Sequence, residues 1–203
     1  MKPLEIEEQS MAIIESELQV SLPGEIKPIV KRVIHATADF SFAESLRFTP
    51  GAVPLMRGML RAGAAVITDT NMALAGISKP ALRKVNAAAR CFMAEEDVIA
   101  EARARQTTRA AVSMERALAL KGPKLLVCGN APTFLFPLLS LEPLPQDVAV
   151  IGVPVGFVNV VEAKELLWHS GLPCIAAMGR RGGSNVAAAI VNALLYGIEG
   201  VRP

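Results

Sequence analysis

Short apolar runs alternate with amphipathic segments along most of the chain, and this alternation predicts a sheet of largely parallel strands. Segments with helical spacing separate the runs, among them Val53–Arg61, SKPALRKV and EEDVIAEARARQTTRAAVSMERALAL. Strands that alternate with helices are typical of a sheet covered on both faces. We therefore expect an α/β fold of three layers, α/β/α, with a mostly parallel sheet of about five strands. The predicted strands are AAVIT (64–68), RCFMA (90–94), KLLVCG (124–129), DVAVIGV (147–153) and PCIAAMG (173–179).

An N-terminal helical segment is predicted ahead of the first strand. Apolar residues recur at helical spacing over Leu4–Leu18, and Ser10 stands on that otherwise apolar side. A second helix is expected at about Gly24–His35, with Pro28 in its first turn or so, where proline is tolerated. Because no repeat, low-complexity tract or linker interrupts the chain, we expect one domain over residues 1–203.

The composition indicates a globular chain and gives no sign of nucleic acid or a membrane as its partner. Hydrophobic residues make up 52% of the chain and charged residues 20%, which is too apolar for a disordered protein. Aromatic residues are only 4% and the net charge is +2, so base-stacking platforms and a strong electrostatic footprint are not expected. The N-terminus does not have the character of a secretory signal, and Gly, Asn and Pro interrupt the most apolar stretches. We expect a soluble, cytoplasmic protein.

The three cysteines are predicted to be structural. Cys91, Cys128 and Cys174 each lie in or beside an apolar run and form no CxxC pair. Small buried residues in a reducing compartment are the usual meaning of this pattern.

Glycines and small polar residues follow four of the five predicted strands. Ligands of parallel sheets bind at the carboxyl ends of the strands, so a site is expected there. Asp69 follows the first strand, Asn130 and Thr133 follow the third, GVPVGFV (152–158) follows the fourth, and GRRGGS (179–184) follows the fifth. Glycine permits close approach of the backbone, helix N-termini favour anions, and guanidinium groups bind carboxylates bidentately. The four turns together favour an anionic ligand, whereas each turn alone also fits a purely structural cap.

The histidines are the candidates for proton transfer, because common catalytic motifs are missing. The sequence contains no P-loop, dinucleotide-binding glycine pattern, nucleophile elbow or zinc-ligand spacing. With only two histidines in the chain, no metal site is expected. His169 precedes Gly171 at a helix end and is interpreted as a capping partner. His35 also lies near a helix end, with Thr37 and Asp39 close behind, so it is either a cap or a general acid.

These segments together resemble the precorrin-8X methylmutase family over almost the whole chain. The matching motifs are IEEQSMAII, RVIHATAD, ITDTNMALAGI, TTRAAV, GNAPT, GVPVGFV with EAKE behind it, and GRRGGS followed by an Ala-rich helix and NAL. The resemblance implies an isomerase of cobalamin biosynthesis. Such an enzyme moves a methyl group between neighbouring ring-C carbons of precorrin-8X or cobalt-precorrin-8 and gives hydrogenobyrinate or cobyrinate. It implies no cofactor, since any cobalt is carried by the tetrapyrrole-derived polycarboxylate substrate.

The resemblance also implies roles for individual residues. The histidine of the RxxH segment is the family's proton donor and acceptor and corresponds to His35, while the serine of the ExxS segment is a substrate contact and corresponds to Ser10. Protonation of the conjugated ring, a sigmatropic methyl shift and return of the proton would complete the reaction. Family members are homodimers with the active site near the subunit interface. The other candidate substrate contacts are Thr37, Asp69, Arg109, Asn130, Thr133, Lys164 and Arg180.

Three positions depart from the family pattern, and two other functions stay open. Ala163, Asn159 and Phe134 stand where serine, glycine and alanine are usual, which affects the details of substrate contact and not the fold. A pocket of this kind also suits a carrier of corrinoids or polycarboxylates without catalysis. A hydrolase acting on an anionic substrate is the other alternative, with Ser184 as its nucleophile.

Overall fold

The computed structural model describes residues 3–201, which form eleven α-helices and six strands. The helices are α1 Pro3–Glu17, α2 Lys27–Thr37, α3 Phe42–Ser45, α4 Ala52–Arg61, α5 Asn71–Gly76, α6 Lys79–Lys84, α7 Glu96–Ala104, α8 Arg109–Leu118, α9 Phe136–Leu139, α10 Val160–His169 and α11 Ser184–Tyr196. The strands are β1 Leu46–Phe48, β2 Ala65–Thr68, β3 Ala89–Arg90, β4 Lys124–Cys128, β5 Val148–Gly152 and β6 Cys174–Ala177. A 3-10 turn, Pro132–Phe134, lies between β4 and α9.

All six strands belong to one sheet in the order β1-β6-β5-β4-β2-β3. Every neighbouring pair is parallel except β1 with β6, where Leu46 lies opposite Ala177. From β2 the chain moves outward to β3 and then returns to β4 on the other side of β2. The strand order therefore reverses between β2 and β4, and a crevice at the carboxyl ends of the strands is expected at such a point.

Two apolar cores lie on opposite faces of the sheet. In β4, Leu125 and Val127 pack into the core shared with α2, α4, α5, α6 and α11. Leu126 and Cys128 of the same strand pack into the core shared with α7, α8, α9 and α10. Side chains alternate between the faces of a strand, so a strand buried on both sides is apolar throughout. The three-layer α/β/α fold predicted from the sequence is confirmed.

The prediction of about five strands was close, but it missed β1 and extended β3 too far. Leu46–Phe48 has three residues with an exposed arginine at its centre, and it pairs only along the sheet edge. In the RCFMA run only the first residue belongs to β3, which covers Ala89–Arg90. Cys91 and Phe92 are buried by packing and lie outside the strand. Burial without strand pairing gives the same apolar sequence signal as a strand.

Helix boundaries differ from prediction where local side chains end or start a helix. The long segment before β4 divides into α7 and α8, because Gln106 has a positive φ of 52° and the Thr108 hydroxyl accepts a hydrogen bond from the Ala111 N–H as an N-cap. The second helix begins later than predicted, at Lys27, and extends to Thr37, where Ala38 adopts the left-handed conformation. The N-terminal helix was predicted at nearly its observed limits, which are Pro3–Glu17.

The predictions for the three cysteines and for His169 are confirmed. Cys91, Cys128 and Cys174 are buried and free. The His169 ring nitrogen lies 2.9 Å from the Glu165 carbonyl at the end of α10, as expected for a residue near a helix end.

Among the helices of residues 3–201, none combines the length and apolarity that crossing a membrane would require.

Candidate active site

Asp69 joins the turns on either side of the point where the strand order reverses. Its carboxylate accepts hydrogen bonds from the backbone N–H groups of Gly129 at 2.9 Å, Asn130 at 2.7 Å and Ala131 at 2.7 Å. Burial raises the pKa of this carboxyl above its usual value, and the three backbone bonds oppose part of that rise. The side chain is 0% exposed, so this geometry gives Asp69 a positioning role. Direct contact between Asp69 and a substrate stays a prediction.

The same two turns also hold the start of α11. The hydroxyls of Thr70 and Ser184 share a hydrogen bond of 2.8 Å. A Cβ added to Gly129 would lie 2.8 Å from the Ser184 Cα, so glycine is needed for this close approach. Ser184 is buried, and its hydroxyl is bonded to another hydroxyl and not to a base. This arrangement gives no support to a hydrolase with Ser184 as its nucleophile.

Lys164 organises the turn that follows β6. Its ammonium group donates to the carbonyls of Gly179 at 2.8 Å and Arg181 at 2.7 Å, and its side chain is 0% exposed. Burial lowers the pKa of Lys164 to about 8. Because the ammonium group donates its hydrogen bonds to these carbonyls, the structure gives Lys164 a positioning role as well. Its predicted contact with a carboxylate arm remains untested.

Glycine allows the turn after β6 to lie directly on the turn after β5. A side chain at Gly182 would collide with the carbonyl oxygen of Val153, and the Gly183 N–H donates to that same oxygen at 2.9 Å. The Gly156 N–H donates to the Arg180 carbonyl at 3.2 Å. The turns after β2, β4, β5 and β6 therefore form one continuous rim at the carboxyl edge of the sheet, which we call the strand-end rim.

The helix that carries His35 is tied to this rim. Arg181 donates from Nη1 to the Asp39 carboxylate at 2.7 Å, and it also contacts the Ser41 hydroxyl. The hydrogen bonds from Ser41 and the nearby Arg181 guanidinium lower the pKa of Asp39. Asp39 directly follows the left-handed Ala38 that ends α2. The last turn of α2 is thus held at the carboxyl edge of the sheet.

His35 lies in that last turn and its side chain is exposed. Thr37, two residues further on, uses its hydroxyl within the chain: it donates to the Val33 carbonyl at 2.8 Å and accepts from the Asp39 N–H at 3.3 Å. Thr37 therefore stabilises the helix end. His35 is left facing solvent, and its role in proton transfer stays a prediction.

Exposed cations and an exposed aromatic ring lie along the rim. The Arg180 guanidinium stands 5.5 Å from the centre of the Phe157 ring, and that ring is 83% exposed. Val158 beside it is 76% exposed. Asn130 is exposed and Thr133 is half-buried, both in the turn after β4. Together they present cations, polar groups and an apolar surface side by side, which suits a large molecule with anionic arms.

Two predicted contacts lie further from the rim turns. Arg109 is exposed at the first position of α8, a helix that packs against the 3-10 turn after β4. Ser10 lies on α1, and its hydroxyl donates to the Ile6 carbonyl at 2.8 Å. The α1 helix packs along α2 through the pair of Arg32 with Glu7 at 2.6 Å. Ser10 is therefore on the helix next to that of His35 and not on the rim itself.

The precorrin-8X methylmutase family model matches residues 5–197. The chain belongs to this family. It is therefore a methylmutase, an enzyme of the isomerase class. The cobalt-precorrin-8 methylmutase of Salmonella typhimurium is 43% identical, with 96% of this chain and 95% of that protein covered. The precorrin-8X methylmutase of Pseudomonas aeruginosa is 39% identical, with 92% and 91% covered.

A solved structure of the family has the same fold. The precorrin-8x methyl mutase from Thermus thermophilus superposes with a TM-score of 0.87 at 36% identity, with 95% of this chain and 94% of that chain covered. The family resemblance expected from the sequence motifs is confirmed by these similarities.

Reasoning from the sequence missed two residues of this methylmutase rim. Arg181 was noted only as part of an arginine pair, yet its guanidinium ties the rim to the helix of His35. Phe157 was noted only as part of a glycine-rich turn, yet its ring is the most exposed of the large apolar side chains described. A phenylalanine flanked by Gly156 and Val158 in a turn was the available signal.

Within residues 3–201, no group of three or more His, Cys, Asp or Glu side chains is placed to hold a metal ion.

Proposed function

We propose that this methylmutase acts on precorrin-8X or cobalt-precorrin-8 and moves a methyl group between neighbouring carbons of ring C. The products would be hydrogenobyrinate and cobyrinate, respectively. Relatives that share 43% and 39% identity are named for these two substrates. The observation that carries the proposal is the attachment of the His35 helix to the strand-end rim through Asp39 and Arg181.

In this proposal His35 is the acid and then the base of the reaction. The imidazolium gives its proton to the conjugated ring system, which makes the ring electron-poor. The methyl group then shifts to the neighbouring carbon with its bonding electrons, and the proton returns to the imidazole. No atom is gained or lost, so the protein has to supply only a positioned acid and a shaped surface.

The rim and the helices beside it supply the binding groups for the substrate. Arg180 and Arg109 are exposed and can pair with acetate and propionate arms, while the Phe157 ring offers a surface for the macrocycle. Ser10, Asn130 and Thr133 remain candidates for hydrogen bonds. In the same proposal, Lys164 and Asp69 keep the backbone of the rim in place.

We also propose that no cofactor of the protein takes part and that the cobalt, if present, arrives in the substrate. An isomerisation needs neither an electron donor nor a methyl donor. A homodimer in the cytoplasm, with the site near the subunit interface, completes the proposal. The exposed apolar side chains of Phe157 and Val158 beside the rim suit burial by a second copy or by the macrocycle.

Turnover of precorrin-8X tests the reaction. The purified protein is mixed with excess precorrin-8X, and the visible spectrum is followed with time. A methylmutase converts all the pigment to a product with a changed chromophore, whereas a carrier shifts only as much pigment as there is protein. A shift that stops at one pigment per site would overturn the catalytic proposal in favour of a carrier.

The other histidine of the chain provides a matched control for His35. His35→Ala should abolish turnover and still bind the pigment, because binding relies on the rim. His169→Ala should retain full turnover, since His169 is exposed at the end of α10 and its ring nitrogen faces the Glu165 carbonyl. Equal turnover of the two variants would end the role of His35 as proton donor.

A further inference from the structure

Four charged side chains link α7 to α8 beside the turn that leads to Arg109, and we call them the α7–α8 charge network. The Arg105 guanidinium donates to the Glu115 carboxylate through both terminal nitrogens, at 2.5 and 2.9 Å, and to Glu101 at 2.7 Å. Arg116 also donates to Glu101, at 2.7 Å. The hydrogen bonds from Arg105 lower the pKa of both glutamates, so both carboxylates are charged at neutral pH.

The turn between the two helices has no buried side chain to hold it. Every residue from 103 to 109 is exposed. Gln106 has a positive φ of 52°, and the Thr108 hydroxyl caps α8 by accepting from the Ala111 N–H at 3.1 Å. Segments without buried apolar contacts are the least stable parts of a fold. Of the residues in this turn, Arg105 is the one whose side chain is bonded to both helices, so it is the main brace of the turn.

The α8 helix directs Arg109 towards the strand-end rim. Its last residue, Leu118, is joined to Lys124 at the start of β4 by residues 119–123, so this end of α8 lies at the amino edge of the sheet. Arg109 is about 14 Å further along the helix axis, on the side of the rim. An arginine at the first position of a helix opposes the helix dipole. The stability of α8 therefore does not account for Arg109, whereas an anionic ligand does.

We propose that Arg105 is a positioning residue for Arg109, because its bridge to Glu115 fixes the turn that presents Arg109 to a carboxylate arm of the substrate. The role of Arg105 rests on the proposed function, in which Arg109 pairs with such an arm. An isolated surface ion pair contributes little to stability, but a bidentate pair within a network holds a defined geometry. The bridge therefore controls affinity for the substrate and not the chemical step at His35.

Titration with hydrogenobyrinate, followed by its visible spectrum, tests the proposal. Arg109→Met should weaken binding about tenfold, because a charge-assisted pair is lost. Arg105→Met should weaken binding about three- to fivefold, and the double variant should bind no more weakly than Arg109→Met alone. The control is Arg103→Met, which removes the same charge from an exposed position on α7 and should bind like the wild type. Wild-type affinity in Arg105→Met would overturn the positioning role.

Glu115→Ala separates positioning from general electrostatic attraction. The variant removes the partner of Arg105 and makes the protein one unit more positive, so attraction alone predicts tighter binding of a polycarboxylate. Loss of the bridge predicts the opposite, a weakening of about threefold. Tighter binding would therefore overturn the proposal. Arg105→Lys keeps the charge without the guanidinium fork, so its affinity should stay below that of the wild type, and full affinity would exclude the bidentate bridge.

Stability and kinetics distinguish a positioning role from a purely structural one. The Arg116–Glu101 pair still links α7 to α8 in Arg105→Met, so the urea midpoint should match that of the wild type. KM for precorrin-8X should rise while kcat stays unchanged. A lowered midpoint with both constants impaired would overturn the proposal. Wild-type protein that does not bind hydrogenobyrinate would overturn the proposed function together with this role, whereas equal binding by wild type and Arg105→Met would overturn only the role of Arg105.

Discussion

The guanidinium of Arg181 donates to the carboxylate of Asp39 across 2.7 Å, and this bond joins the turn after the last strand to the helix that carries His35. The two residues are 142 positions apart in the sequence. Both side chains are partly exposed, so the pair contributes little to global stability. Its value lies in fixing the position of the last turn of α2 relative to the rim.

Loss of this pair should reduce the rate of the chemical step. Arg181→Met should lower kcat by about tenfold with little change in KM, because a misplaced acid slows proton transfer without removing a binding group. Asp39→Ala should have the same effect, and the double variant should be no worse than either single one. Steady-state kinetics on precorrin-8X measures these values, with Arg103→Met on α7 as the control. Losses that simply multiply in the double variant would show that the two residues act separately.

Removal of the Asp69 carboxylate should destabilise the fold. Asp69→Ala leaves three backbone N–H groups without their acceptor in a buried region, so the free energy of unfolding should fall by about 3 kcal/mol. Asn130→Ala is the control, since the backbone N–H of residue 130 makes the bond and its side chain is exposed. That variant should change the unfolding free energy by no more than about 0.5 kcal/mol. Urea denaturation measures the free energy of unfolding of both variants. Equal midpoints would contradict the positioning role of Asp69.

The buried ammonium of Lys164 should make stability rise with pH under alkaline conditions. Burial lowers its pKa from 10.5 in the unfolded chain to about 8 in the folded one. Between these values the unfolded state binds more protons, so the free energy of unfolding increases with pH across that window. Below about pH 8 the lysine is protonated in both states, and its contribution is constant and unfavourable. Above 10.5 it is neutral in both states, and the gain is complete.

The comparison variant for this effect is Lys164→Met, which lacks the titrating group. Urea denaturation of both proteins at pH 7.5 and pH 10.5 isolates the lysine, because the other ionisable groups are common to both. Over this range the free energy of unfolding should increase by up to about 3 kcal/mol more in the wild type than in the variant. Parallel pH profiles would show that the ammonium keeps its ordinary pKa in the fold.

Two glycine substitutions should have opposite effects on stability. Gly182→Ala places a Cβ against the Val153 carbonyl, so the two turns must separate and both stability and turnover should fall. Gly58→Ala introduces a Cβ into open space on α4 and should stabilise the protein by about 0.5–1 kcal/mol. Thermal denaturation of the two variants measures the difference. A stable, fully active Gly182→Ala protein would contradict the close contact at the rim.

Phe157 should affect substrate binding and not stability. Its ring is 83% exposed, so Phe157→Ala should leave the unfolding free energy within about 0.5 kcal/mol of the wild type. If the ring packs on the macrocycle, KM should rise about three- to tenfold while kcat changes little. Leu166→Ala is the control, since that leucine is 48% exposed on α10. An unchanged KM in Phe157→Ala would remove Phe157 from the proposed binding surface.

Local patterns in the sequence were sufficient for most of the fold. Runs such as KLLVC are apolar at every position because both faces of a central parallel strand are covered, and such runs are visible in a single chain. The rule that ligands bind at strand ends then directed attention to Asp69, Asn130 and Arg180. The break at Gln106 and the short strand Leu46–Phe48 were missed, because a positive φ and a three-residue edge pairing leave almost no periodic signal.

The sequence alone determined most of the succession of strands and helices along the chain, the family motifs and the residue types available for chemistry. Only the tertiary structure decided what each polar side chain does, because hydrogen-bond partners depend on distance in space. The sequence predicts Lys164 and Asp69 as substrate contacts. In the folded protein both side chains form hydrogen bonds with backbone groups of the rim. Arg181 and Asp39 become partners only when the turn after β6 and the end of α2 meet at the same edge of the sheet.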